Sequence, residues 1–237
     1  DRGISPVSEG PGIGGGVDAV FKKTNYSNSS EASLGYDLTI GGRSVNDSVS
    51  TGGIIGAATD TWRANLLGAY EEGGDTEYKD GTIGGSEFQR SIYGLATGLR
   101  TDLGEFSLDW RRHNTGFSGN PPFGMDIRFV DTDVLKAGYE KAFGDVLVEA
   151  SASYTDAAHG MNTFDLRPSM MQREAFAYAI TRKADIAATF PAFGGSLQIG
   201  ADTAEEDHNI HVVDPGNLDN FVYSLPDIVI DRTGAFA

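Results

Sequence analysis

Residues 146–156 read VLVEASASYTD, and their alternation decides the fold. One set of positions holds Val146, Val148, Ala150, Ala152 and Tyr154; the other holds Leu147, Glu149, Ser151, Ser153 and Thr155. Neighbouring residues on a strand point to opposite faces, so this period of two reads as a strand with one apolar and one small or polar face. The same pattern recurs in FSLDWRRH (106–113), where Phe106, Leu108 and Trp110 oppose Ser107, Asp109, Arg111 and His113. In VLKAGYEKAF (134–143), Leu135, Ala137, Tyr139 and Phe143 oppose Val134, Lys136, Gly138 and Glu140. Helical spacing is nearly absent, and Gly punctuates the chain throughout.

Working outward gives about ten strands, near 30–40, 44–58, 62–72, 88–101, 106–116, 132–143, 146–158, 173–190, 195–207 and 227–237. From the second strand on, short connections (59–61, 102–105, 144–145, 191–194) alternate with long ones (73–87, 117–131, 159–172, 207–226). An outer-membrane barrel has short turns at one rim, long loops at the other, and strands of roughly ten residues that alternate apolar-out and polar-in. Trp62, Tyr70, Phe88, Trp110, Phe143, Tyr154 and Phe190 fall near strand ends, where membrane girdles lie. The expected fold is therefore all-β: a partial transmembrane antiparallel β-barrel. A soluble β-sandwich also alternates and is the competing architecture, but its loops need not sort by length.

Composition narrows the function. The 237 residues include 18 Lys+Arg and 34 Asp+Glu, a formal charge of −16, which argues against a nucleic-acid partner. The absence of Cys removes disulfide frameworks, iron–sulfur clusters and thiolate zinc sites from this stretch. No apolar run approaches the ~20 residues of a membrane-spanning helix. No nucleophile elbow, phosphate loop or His-Glu-x-x-His motif is present, so no enzyme is expected. The chain has no initiating Met and stops on the apolar run Gly234–Ala237, which reads as a fragment lacking both ends.

The four Met and four His all map to the long-loop rim of this hairpin scheme. Met125 follows the fifth strand and His113 ends it; His159 ends the seventh, and Met161, Met170 and Met171 follow it. His208 and His211 lie where the ninth strand passes into its loop. Thioether and imidazole ligands together suit copper, particularly Cu(I). The tightest pair is His159-Gly160-Met161: residues i and i+2 share a face, which the alternation makes the lumenal one. Gly160 is expected to let the backbone bend between them. Strand-end His and loop-packing Met are the plainer reading of the same residues. Glu205, Glu206 and Asp207 beside His208 read as a solvated acidic loop, and carboxylates such as Glu71, Glu72, Asp131 and Asp133 would concentrate cations at the mouth.

Two stretches resemble a known family. GPGIGGGVDAVFKK (10–23) looks like the end of the plug domain of TonB-dependent outer-membrane receptors, where a Gly-rich turn and a last strand lead into the barrel. SASYTDAAHGMNTFDLRP (151–168), followed by Met170-Met171, is similar to the copper-type members, in which a barrel His-x-Met pairs with a Cys-x-x-x-Met of the plug. The resemblance implies residues 1–24 as the end of a plug domain and 25–237 as the first barrel strands. It implies copper, or a copper complex, as transported ligand, bound by His159 and Met161 with the plug half absent from this chain. It further implies a bacterial cell outer-membrane location, contact with lipid, and energy from a TonB complex acting on the plug. A porin or siderophore-type receptor with incidental Met and His, or a soluble surface domain, are the alternatives.

Overall fold

A computed structural model describes residues 23–170, 172–213 and 222–237, with side chains of 222–225 not described. The elements are β1 (Ser33–Arg43), β2 (Ser48–Ala58), β3 (Trp62–Gly73), β4 (Thr76–Tyr78), β5 (Gly81–Ile83), β6 (Phe88–Thr101), β7 (Gly104–Thr115), β8 (Asp126–Phe143), β9 (Val146–Asn162), β10 (Glu174–Ala192), β11 (Gly195–Val213) and β12 (Val222–Phe236). Ten of them form one antiparallel sheet in chain order, β1-β2-β3-β6-β7-β8-β9-β10-β11-β12; β4 and β5 pair as a small separate hairpin. Every strand of the large sheet thus lies beside its sequence neighbour, which is the connectivity of an up-and-down barrel wall.

Among the described residues no second sheet packs on this one. Among the described residues the buried apolar side chains are only alanines: Ala58, Ala96, Ala187 and Ala204. The large apolar residues stand exposed on one face, from Leu34 (83%) and Ile40 (82%) on β1 to Leu66 on β3, Leu95 on β6, Leu108 on β7, Leu135 on β8, Tyr154 on β9 and Ile186 on β10. A sandwich would have buried this set, so the β-sandwich alternative is overturned. The opposite face carries glycines, alanines, hydroxyls and charges, including Asn65, Asp109 and Arg111. An exposed apolar exterior over a polar interior is the section of a barrel wall.

The apolar face is a band with limits. Toward the long-loop rim, Tyr93 and Trp110 meet edge to face at 5.8 Å, and the Arg182 guanidinium lies over Tyr154. Toward the short-turn rim, Phe106 and Tyr139 stack at 5.1 Å. Beyond the upper rings the outward positions turn charged: Arg112 binds Asp133 at 2.9 Å, in register with Asp156. Residues past this line project beyond the apolar band.

The chain enters along the polar face. Lys23 lies 3.5 Å from Asp109, whose carboxylate also holds Arg111 at 2.7 Å. The Thr24 amide donates to Asn65 Oδ1, and the Tyr26 ring sits between Arg63 and Arg100. Residues 23–26 therefore rest on the lumenal side of β3, β6 and β7 before the chain turns into β1. The Gly-rich leader of residues 8–22 lies outside the described residues.

Several strands outrun their expected limits at the long-loop rim. β8 begins at Asp126 rather than 132, β9 runs to Asn162 rather than 158, and β11 to Val213 rather than 207. The connection between Val213 and Val222 lies outside the described residues. β1 and β2 are joined by a turn of four residues, 44–47, at the rim of long loops. That turn packs on the β3–β4 connection, with the Gly74 amide donating to the Asn46 carbonyl.

Candidate metal site at the long-loop rim

β9 carries the site. Its odd-numbered residues share the lumenal face with Lys136, Val134 and Val130 of β8, because Ser153 pairs with Lys136, Thr155 with Val134 and His159 with Val130. His159 is therefore lumenal, with Ala177 of β10 on its other side. Met161 follows on the same face, between Ile127 and Ala175. Both are half-buried and lie past Asp156, beyond the apolar band. Against the expectation, Met161 is not in the loop after the strand but belongs to the strand with His159.

Their surroundings are apolar and small. Ile127, Val130, Ala175 and Ala177 flank the pair, with no carboxylate in those four positions. The Nε2 atom of His159 is buried and has no hydrogen-bond partner. Burial holds its imidazole below the ordinary pKa, so the neutral, ligating form persists to lower pH. A neutral imidazole and a thioether in an apolar wall can bind a soft monovalent metal; they offer nothing to Mg²⁺ or Ca²⁺, which require oxygen ligands. Among the described residues no group of three His, Asp or Glu could hold a metal ion, so the wall alone offers this partial, soft set.

Gly160 does not serve as a bend. It is a regular strand residue paired with Phe129 and Phe176, and it is buried. A methyl group there would come 2.4 Å from the Phe129 ring, so glycine makes room for that ring on the outward face. Phe129 in turn packs near Phe176 at 6.3 Å.

The other candidates spread out. His113 on β7 is lumenal, across from Ile92 and Thr132. His208 on β11 is lumenal, across from Ala179, with Nε2 3.4 Å from Glu206, which also binds Arg232. His211 breaks the pattern: it pairs with Phe176, on the outward parity, because three residues from His208 is an odd step. The expectation that the two histidines lie where the strand passes into its loop is corrected: both belong to β11, which runs on to Val213. Met125 is half-buried in the β7–β8 loop; Met170 projects fully into solvent, which excludes it from packing that loop. Met171 lies outside the described residues.

Sequence reasoning missed two features here. β8 carries a bulge at Arg128, since Ile127 pairs with Met161 and Phe129 with Gly160. Arg128 then reaches Glu174 of β10 at 2.8 Å. Arg167 of the β9–β10 loop binds the buried Asp126 at 2.7 Å. Neither has a local sequence signal, because they join residues 46 and 41 apart.

No protein-family model matches the chain, and no curated protein matches it by sequence. Solved structures do match. Among them is a copper transporter, OprC, at a TM-score of 0.73 and 20% identity, over 90% of this chain and 35% of that one. The chain thus spans about a third of that transporter's length, and at this identity the likeness establishes the β-barrel fold.

Proposed function

We propose that this chain is the plug terminus and first barrel strands of a TonB-dependent outer-membrane receptor that imports copper. The observation that carries the reading is the lumenal His159–Met161 pair on β9, past the apolar band, with a buried unpartnered Nε2 and no carboxylate beside it. Copper, free or in a small complex, binds there as cargo, with further ligands from a plug. The plug reading rests on the Gly-rich leader and on Lys23, Thr24 and Tyr26, which approach the wall from its lumenal side. A TonB complex supplies the energy for release through the plug, and lipid covers the apolar band in a bacterial outer membrane. The likeness to a solved copper transporter supports this reading.

The test is the metal content of the intact protein purified from copper-supplemented cells, wild type against the His159→Ala/Met161→Ala double variant. Both side chains face the lumen and are only half-buried, so the double variant should fold and lose its copper. Equal copper in both sinks the site. Equal loss from His208→Ala alone would move it to β11.

A further inference from the structure

Arg167 makes three side-chain hydrogen bonds at the long-loop rim. Its Nε donates to Asp126 Oδ2 at 2.7 Å, Nη1 to the Pro121 carbonyl at 3.3 Å and Nη2 to the Phe123 carbonyl at 2.9 Å. Asp126 is 1% exposed, and its other oxygen accepts from the Asn120 amide at 2.8 Å. One guanidinium and one carboxylate therefore hold residues 120, 121, 123 and 126 of the β7–β8 loop. A fork of planar donors is what allows three partners to be engaged at once.

A third loop joins. The Gly119 amide donates to the Glu87 carbonyl, and a methyl on Gly119 would fall 1.6 Å from the Gly85 carbonyl oxygen. The β5–β6 connection, the β7–β8 loop and the β9–β10 loop thus meet around Arg167. On the β9 side, Asn162 is also 1% exposed, and its Oδ1 accepts the Phe164 and Asp165 amides. Asp126 and Asn162 are direct register partners. They immediately follow Met125 and Met161 in the chain.

We infer that Arg167, through Asp126, is a positioning residue that holds the Met125 backbone beside the sheet-held Met161 at the mouth. The inference rests on the copper-site reading above. Ser118 and Gly119 are pinned to Ile127 and Glu87, and Asp126 pairs with Asn162, without the clamp; residues 120–125 lose their hold and can carry Met125 away. With the clamp, Met125 begins from fixed backbone, and binding a soft ion orders only its side chain. Partners that orient metal ligands typically change affinity by about 10–100-fold when removed.

The experiment measures Cu(I) affinity, by competition with a chromophoric chelator, and the sulfur count around bound copper by X-ray absorption. It uses the intact detergent-solubilised protein as wild type, Arg167→Ala, Arg167→Lys, Asp126→Asn and His159→Ala/Met161→Ala. Arg167→Ala should weaken binding about tenfold and lower the sulfur count, with the imidazole retained and the barrel's melting temperature unchanged. Arg167→Lys, which keeps the charge but not the fork, should fall between, and the near-isosteric Asp126→Asn guards against a loop that fails to fold. Wild-type affinity and sulfur count in all three clamp variants, with copper lost from the double variant, overturns the inference and leaves the site. Copper retained by the double variant overturns the site and the inference with it.

Discussion

The ring of Phe129 occupies the space that a side chain on Gly160 would need: an added Cβ would come 2.4 Å from Cε1 and 2.8 Å from Cδ1. His159 and Met161 flank this glycine on the other face. The backbone that presents two soft ligands to the lumen is thus backed by an aromatic plate. The glycine between them is a packing choice, not a hinge.

Gly160→Ala should therefore disturb the site from behind. Overpacking of this kind costs about 1–3 kcal/mol. Thermal unfolding should drop, and copper binding should weaken. Adding Phe129→Leu should restore both, since it removes the ring edge that the methyl strikes. No rescue by the second change would mean that the contact is not what limits the position.

Ala152 and Ser153 are neighbours on β9 that face opposite ways, Ala152 outward and Ser153 lumenal. An arginine on the lipid face of a barrel costs about 2–4 kcal/mol near the bilayer midplane. Ala152→Arg should lower the urea midpoint of folding into lipid vesicles, whereas Ser153→Arg should change it little. Equal effects would contradict the assigned faces.

The Tyr26 ring lies 3.7 Å from the Arg100 guanidinium and 4.5 Å from that of Arg63. Such contacts are worth roughly 0.5–2 kcal/mol each. Tyr26→Ala should loosen residues 23–26 from the wall and speed tryptic cleavage at Lys23 in the intact protein, with the strands still protected. An unchanged cleavage rate would show that Tyr26 is not an anchor.

β1 and β12 each pair on one side only within this sheet. Unpaired strand edges invite further pairing, and here they accompany an uncovered apolar face. Expressed alone without detergent, residues 1–237 should sediment as large aggregates. A monodisperse monomer in plain buffer would count against the barrel-wall assignment.

The strands were legible because each apolar exterior position is separated by one residue from the next, as along β9 from Val146 to Tyr154. Their upper ends were not. Past Tyr154 the outward position becomes Asp156, so the contrast between faces fades while the pairing continues to Asn162. His159 and Met161 could be named because they lie two apart. Their place within a strand, and the outward turn of His211, required the register. Phe129 against Gly160 and Arg167 on Asp126 are tertiary meetings between segments that no local pattern connects.

The extra residue at Arg128 makes strand length itself a determinant of what the entrance presents. Below it, even-numbered residues of β8 face the lumen; above it, Ile127 faces Met161, and Asp126 takes the opposite side. Were the same residues paired without the bulge, Arg128 would lie across from Met161, and Ile127 would move to Asn162 and turn away. A fixed positive charge would then stand beside the thioether and repel the cation proposed for that mouth, without a single candidate ligand having been substituted.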